Sequence, residues 1–154
     1  MKKKNLNSIK HIVNRRARFD YNLGDSIIVG IVLNGAETKC LRLGHGQLNG
    51  AYIIIKDSEV WLVNSVINSA PGITIPVTNQ NRNRKLLLKR KEIDRLLTLK
   101  NQGLTIIPLE ILTGGHYIKL RIATGKGNKQ FDKRQVIKKR DVQRDTQSTL
   151  KQYR

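Results

Sequence analysis

The sequence Leu104-Thr-Ile-Ile-Pro-Leu-Glu-Ile-Leu-Thr-Gly-Gly-His-Tyr-Ile-Lys-Leu-Arg-Ile-Ala123 decides the fold class, because two apolar runs flank the glycine pair Gly114-Gly115. A pair of glycines between such runs is typical of a tight β-hairpin. Pro108 has no N–H to donate, so we expect the first run at a sheet edge or a bulge. The second run alternates between two faces, Ile118, Leu120 and Ile122 on one and Tyr117, Lys119 and Arg121 on the other. The stretch predicts an antiparallel sheet.

Three further strands are predicted before this hairpin. The β-branched run at residues 26–33 is typical of a continuously buried strand. Runs at 51–55 and 59–63 enclose Lys56-Asp-Ser58, a segment with turn chemistry, and predict a second hairpin. Asn, Ser, Pro and Gly dominate residues 64–83, which predicts a long loop.

Two helices complete the pattern. Residues 36–43 predict a short helix with Lys39 and Arg42, three apart, on one side. Residues 84–101 predict a longer helix on which Leu87 lies outside the apolar stripe and is a candidate exposed contact. At 100° per residue this helix has an apolar stripe and a basic stripe, formed by Leu86, Ile93, Leu96 and Leu97 and by Arg84, Lys91 and Arg95.

Short strands, tight turns and few helices predict a mainly β fold. We expect an antiparallel β-barrel of OB type with flanking helices and a basic C-terminal tail, and a split α+β sheet remains the alternative. The expected organisation is a flexible basic N-terminus at 1–13, an RNA-binding barrel at 14–125 and a basic tail at 126–154. Residues 132–152 have no apolar stripe, so we expect the tail to be disordered until a partner makes it helical.

Positive charge is concentrated in three segments of this chain, whose formal net charge is +19. Residues 1–18 hold seven bases and no acid, residues 82–100 eight bases and two acids, and residues 126–154 ten bases and three acids. A nearly neutral body with basic segments is suited to a polyanion, because each base that replaces a counterion on a phosphate adds affinity. Nucleic acid is therefore the expected partner, and the missing apolar stripe in the tail argues against a membrane surface.

The sequence offers little for catalysis or cofactors. Cys40 is the single cysteine, which excludes an internal disulfide or a cysteine metal cluster. Gly125-Lys126-Gly127 does not satisfy the phosphate-loop pattern, and the three histidines lie far apart with no carboxylate at metal-ligand spacing. There is neither a membrane-length apolar run nor a secretory signal. We expect no enzyme, cofactor or metal, although a ribonuclease assembled in space from His, Lys and Arg stays open.

Five ordered motifs resemble the SmpB family, the tmRNA-binding or SsrA-binding small protein B. They are Asn14-Arg-Arg-Ala-Arg-Phe-Asp-Tyr21, Gly30-Ile-Val-Leu-Asn-Gly-Ala-Glu-Thr-Lys-Cys-Leu-Arg42, Arg84-Lys-Leu-Leu-Leu-Lys-Arg-Lys-Glu-Ile93, Gly103-Leu-Thr-Ile-Ile-Pro-Leu109 and Asp132-Lys-Arg134. The resemblance implies binding to the tRNA-like domain of tmRNA and its delivery, with elongation factor Tu and GTP, to stalled ribosomes. There the tail enters the empty mRNA channel beside the decoding centre, near small-subunit rRNA.

The resemblance, together with the charge pattern, also assigns residues. The expected RNA contacts are Asn14, Arg15, Arg16, Arg18, Lys39, Arg42, Arg84, Lys85, Leu87, Lys89 and Lys91. The expected tail residues at the decoding centre are Lys126, Lys129, Phe131, Asp132, Lys133, Arg134, Lys138, Lys139 and Arg140. Ile28 stands where many family members have Glu, so a polar contact there is expected to be lost or replaced, and Phe131 stands where His or Tyr is common.

One rival class fits the composition. A structural ribosomal protein, or a general RNA-binding OB protein, is also small, basic and without catalytic residues, and only the order of the motifs separates it from a rescue factor. The family implies a monomer in the bacterial cytoplasm. A tail similar to that of cyanobacterial and plastid members also allows the plastid stroma.

Overall fold

A seven-stranded antiparallel sheet organises residues 12–128, the part of the chain that the computed structural model describes. Within that part the strands are β1 (Ile12–Val13), β2 (Tyr21–Ile31), β3 (Gly46–Gln47), β4 (Tyr52–Lys56), β5 (Glu59–Val63), β6 (Val66–Ile67), β7 (Arg84–Leu87), β8 (Thr105–Leu112) and β9 (Lys119–Gly127). The helices are α1 (Ala17–Asp20), α2 (Gly35–Arg42), α3 (Val77–Gln80) and α4 (Arg90–Asn101). The sheet order is β1-β8-β9-β2-β7-β5-β4, and β3 pairs with β6 separately.

The hairpin around Gly114-Gly115 lies in the sheet as the sequence predicts. Strands β8 and β9 pair from Thr105↔Gly125 to Leu112↔Lys119, with an irregularity between Pro108 and Glu110 that confirms the expected bulge. From Tyr117 to Ile122 the inward side chains are buried and the outward ones face solvent at least in part: Ile118, Leu120 and Ile122 inward, Tyr117, Lys119 and Arg121 outward. Alternation therefore correctly predicted which face of the second run, up to Ile122, meets the core.

Strand β2 is longer than predicted and buried on one face only. It extends from Tyr21 to Ile31 and pairs with β9 on one side and β7 on the other. Val29 and Ile31 are buried, but Ile28 is 51% exposed, so the prediction of continuous burial was wrong. The physical reason is that no layer of the described residues covers the outer face of the sheet at this position.

Helix α2 and the β4–β5 hairpin confirm their predictions. Asn34 caps α2 reciprocally, because its side chain accepts from Glu37 N at 2.8 Å while the Glu37 carboxylate accepts from Asn34 N at 2.9 Å. Strands β4 and β5 are joined by Asp57 and Ser58, which have φ angles of 51° and 62°. Two such residues form a turn whose twist matches the paired strands. The predicted loop 64–83 contains the short elements β6 and α3.

The prediction of one helix over residues 84–101 was wrong in its first part. Residues Arg84–Leu87 form strand β7, which pairs with both β2 and β5, and α4 begins only at Arg90. Tertiary pairing has overridden helix propensity here, since β7 fills the gap between two strands that would otherwise be edges. Of the predicted apolar stripe, Leu86 is buried through the strand and Ile93 and Leu96 through the helix, while Leu97 is only partly buried.

The mainly β class is confirmed, whereas the closed barrel is not. Strand β4 passes close to β8, yet no hydrogen-bonded ladder joins them, and β1 and β4 remain the two edges of the sheet. The core lies inside the curved sheet, with α2 and α4 packed on it through buried Cys40, Leu41, Ile93 and Leu96.

No helix among residues 12–128 has the length and apolar character that crossing a membrane requires. The expectations for 1–11 and 129–154 lie outside the described residues.

Candidate nucleic-acid interface

The first group of predicted RNA contacts surrounds the short helix α1. Asn14 is buried, and its side-chain amide donates to Pro108 O at 3.0 Å while its backbone N–H donates to Leu109 O at 2.8 Å. Asn14 therefore fixes this turn to β8 rather than facing a ligand. Arg15, Arg16 and Arg18 are exposed, and Arg16 lies 3.7 Å from the Asp20 carboxylate. The geometry presents basic side chains from an anchored turn.

The second group lies on the outer face of the sheet. Leu87 is 55% exposed at an outward position of β7, so its predicted exposure is correct but arises from strand alternation instead of helix phase. Lys89 and Lys91 are exposed, and Lys85 is partly exposed and forms an ion pair with Glu59. Leu87 thus shares a groove with Lys85 and Lys89, whereas Lys91 lies on α4 outside that groove.

Arg84 is not available to RNA, contrary to its prediction as a contact on a helix face. It is fully buried in β7, and its Nε lies 3.1 Å from the Glu37 carboxylate. Nη1 donates to the backbone and hydroxyl oxygens of Ser65 at 2.8 and 2.9 Å, and Nη2 donates to Gln80 O at 2.9 Å. Each guanidinium nitrogen is therefore occupied inside the protein, and Arg84 holds the 64–83 segment against α2.

The Glu37 carboxylate is the acid at the centre of this buried cluster. Burial raises its pKa, but the hydrogen bond from Arg82, the backbone N–H of Asn34 and the charge of Arg84 together hold that pKa below its ordinary value. Burial lowers the pKa of Arg84, and the neighbouring Glu37 opposes this effect. Arg82, at 2.6 Å from Glu37, closes the cluster toward solvent. Two arginines share one carboxylate, so the cluster remains cationic.

Two grooves flank Leu87. On one side Ile28, Gly30, Lys85, Leu87, Lys89 and Lys119 share a groove, and on the other Gly30, Thr38, Leu87, His116, Tyr117 and Lys119 share a second. Lys119 lines both grooves but was missing from the predicted site residues, although its outward position in β9 was predictable from alternation. The pocket that includes Arg16 and the one that includes Arg15 share no lining residue with these grooves.

The remaining predicted residues are at the ends of elements. Lys39 and Arg42 are both exposed on α2, and Arg42 Nη2 donates to His116 O at 2.9 Å. Lys126 is exposed near the end of β9, opposite Asn22. The other predicted tail residues, from Lys129 to Arg140, lie outside the described part.

Among residues 12–128, no three His, Cys, Asp or Glu side chains are grouped so as to hold a metal ion, and Cys40 is free and buried.

A family model described as SmpB protein matches residues 11–152. The chain belongs to the SmpB family. An SsrA-binding protein of Synechococcus sp. (strain JA-3-3Ab) is 42% identical over 149 residues, with 94% of this chain and 96% of the relative covered. An SsrA-binding protein of Acholeplasma laidlawii (strain PG-8A) is 41% identical over 139 residues, covering 90% of this chain and 93% of its own.

A solved structure supports the same family assignment. A chain described under "tmRNA-SmpB: a journey to the center of the bacterial ribosome" superposes with a TM-score of 0.63 at 34% identity, covering 79% of this chain and 86% of that one. The resemblance drawn from the five sequence motifs is thereby confirmed.

Proposed function

We propose that this SmpB-family chain binds the tRNA-like domain of tmRNA and delivers it to stalled ribosomes for rescue and peptide tagging. The observation that carries the proposal is the exposed Leu87 on the outer face of the sheet, between two grooves that Lys85, Lys89 and Lys119 line. Relatives named SsrA-binding protein, and a neighbour described as tmRNA-SmpB, support it.

The physical division of labour at this face supports recognition of a folded RNA. Lysine ammonium groups bind phosphates and give affinity without sequence preference. An apolar side chain adds affinity only where the RNA fold exposes a ribose or a base for it to contact. Arg15, Arg16 and Arg18 add a second set of phosphate contacts on α1 and the turn before it. Together they favour an RNA of defined shape over a generic polyanion.

The further partners belong to the same proposal. We infer that the chain acts as a monomeric binding protein without catalytic activity, that small-subunit rRNA near the decoding centre and mRNA channel receives the basic C-terminal residues, and that elongation factor Tu with GTP accompanies the complex. The curved sheet, with β4 close to β8, supports an opened OB-like architecture. The bacterial cytoplasm or the plastid stroma is the proposed compartment.

Binding measured across a salt series tests this function. The full chain should bind the tRNA-like domain of tmRNA at 1:1 stoichiometry, with log affinity falling by roughly 0.7 to 0.9 per phosphate contact for each tenfold rise in salt. A duplex RNA of equal length is the control, since it offers the same charge without the same shape. Equal affinity for the two RNAs would contradict the proposal.

A further inference from the structure

The tip of the β8–β9 hairpin carries an exposed aromatic pair. Tyr117 is 74% exposed, and the His116 ring meets the Tyr117 ring at a centroid distance of 4.6 Å and an interplanar angle of 83°. Edge-to-face contact is a favourable arrangement of two rings. The Tyr117 ring is therefore supported by its neighbour while it projects into solvent.

Arg42 fastens this tip to helix α2. Its Nη2 donates to His116 O at 2.9 Å and to Gly115 O at 3.5 Å. Gly114 and Gly115 give the chain more conformational freedom than other residues would, so the bonds from Arg42 further restrict the positions of the next two residues. The guanidinium ties the orientation of the rings to the body of the protein.

The groove beside Tyr117 contains both apolar and cationic groups. Tyr117, Leu87 and Lys119 line the same groove. Gly30 lies between them without a side chain, and a Cβ added there would sit only 3.1 Å from Leu87 Cβ. Aromatic rings that stack bases next to cations that meet phosphates are the means by which proteins hold unpaired nucleotides.

We propose that Tyr117 is a stacking platform for an unpaired base of the bound RNA, with His116 supporting the ring and Arg42 positioning the hairpin tip. This inference rests on the proposed function and adds a specificity element to it. An RNA ligand is favoured over a protein ligand because Lys119 in the groove and Arg42, bound to the hairpin tip, make this edge cationic.

Substitution of the ring in the full chain gives the main test. Tyr117→Leu should lower affinity for the tRNA-like RNA by about 5- to 150-fold, the range that stacking on one base covers, with an unchanged salt slope because no phosphate contact is lost. Tyr117→Phe keeps the ring and should bind within about twofold of the wild type.

Two further variants separate stacking from charge. Lys119→Ala should reduce the salt slope by about one. Val77→Ala, at an exposed apolar residue of α3 outside the groove, is the matched control and should change nothing.

A charge-conserving variant tests the positioning role of Arg42. Arg42→Lys keeps the positive charge but loses the guanidinium geometry that reaches the hairpin carbonyls. Affinity should fall without a change in salt slope, and the double variant with Tyr117→Leu should bind no more than about twofold weaker than Tyr117→Leu alone.

Fluorescence tests stacking directly. With 2-aminopurine placed at each unpaired position of the RNA in turn, its fluorescence at one position should be quenched by the wild type and by Tyr117→Phe but not by Tyr117→Leu.

The possible failures are distinguishable. If the wild type does not prefer the tRNA-like RNA over a duplex, the proposed function fails. If the wild type shows this preference but Tyr117→Leu binds within twofold of it and quenches every 2-aminopurine position as it does, only the stacking inference is overturned. Unchanged RNA affinity combined with impaired tagging on ribosomes would likewise overturn it and assign Tyr117 to another partner.

Discussion

At the scale of single residues, burial decides which arginines can bind RNA. Arg84 belongs to a basic cluster in the sequence, and every local pattern places it with Lys85 and Lys89 as a solvent-facing base. The structure buries it against Glu37, which is 47 positions away. Such a pairing depends on a long-range contact that composition and periodicity do not encode, which is why the RNA contact was predicted and the structural role was missed.

The buried carboxylate gives a pH-dependent stability. The folded-state pKa of Glu37 is below its ordinary value of 4.5, so the unfolded chain binds the proton more readily and stability falls as pH drops below about 4.5. Urea unfolding of the wild type from pH 6 to pH 3 should show this loss. Glu37→Gln should be less stable at pH 6 and should show a shallower pH dependence. Parallel curves for the two proteins would exclude Glu37 as a source of the dependence.

Leu87 should affect binding more than folding. Leu87→Ala removes an exposed apolar contact, so RNA affinity should fall while the free energy of unfolding changes by no more than about 0.5 kcal/mol. Leu96→Ala, at a buried position on α4, is the control and should cost about 2 to 5 kcal/mol. Chemical denaturation and RNA titration of both variants check this. A larger unfolding penalty for Leu87 than for Leu96 would show that the outer face is covered.

At the scale of elements, the sequence signals differ in strength. Turn chemistry and alternation correctly predicted the β4–β5 and β8–β9 hairpins, because the residues that join two adjacent strands are themselves a signal in the sequence. The break between β7 and α4 has no such signal in the sequence, since neither Gly nor Pro separates Leu87 from Arg90. The two partners of this short strand, β2 and β5, come from distant parts of the chain. The outward lysine Lys119 was predictable in position, but its neighbours in the groove come from β2 and β7.

The β4–β5 turn is a site where stability can be gained. Ser58 has a φ of 62°, a left-handed conformation that costs an L-residue roughly 1 kcal/mol and glycine almost nothing. Ser58→Gly should therefore raise the free energy of unfolding by up to about 1 kcal/mol. Ser58→Ala keeps a Cβ and serves as the control without a gain. Thermal unfolding of the three proteins measures the difference, and equal stability of the two variants would argue against backbone strain at this turn.

At the scale of the whole molecule, RNA binding and action on the ribosome should be separable at Asn128. Strand β9 pairs with β2 as far as Gly127, and Asn128 is anchored to α1. A chain ending after Asn128 should therefore keep near-normal affinity for the tRNA-like RNA but fail to support peptide tagging. Ala at Asp132, Lys133 and Arg134 in the full chain should reproduce most of the tagging defect. Normal tagging by the shortened chain would remove residues 129–154 from the mechanism.

The anchoring of Asn128 sets a distance limit for any assembly that contains this protein. Its backbone N–H donates to Asp20 O at 2.8 Å and its side-chain amide to Phe19 O at 2.9 Å, so the chain leaves the sheet at a fixed point beside α1. A fully extended chain spans at most about 3.6 Å per residue, so the chain length alone keeps the Cα atoms of Asp132, Lys133 and Arg134 within about 22 Å of that of Asn128. The phosphates that we propose for Arg16 and Arg18 and the ribosomal surface that we propose for this motif would then be close neighbours, and cross-links from the two places should map to adjoining parts of the complex.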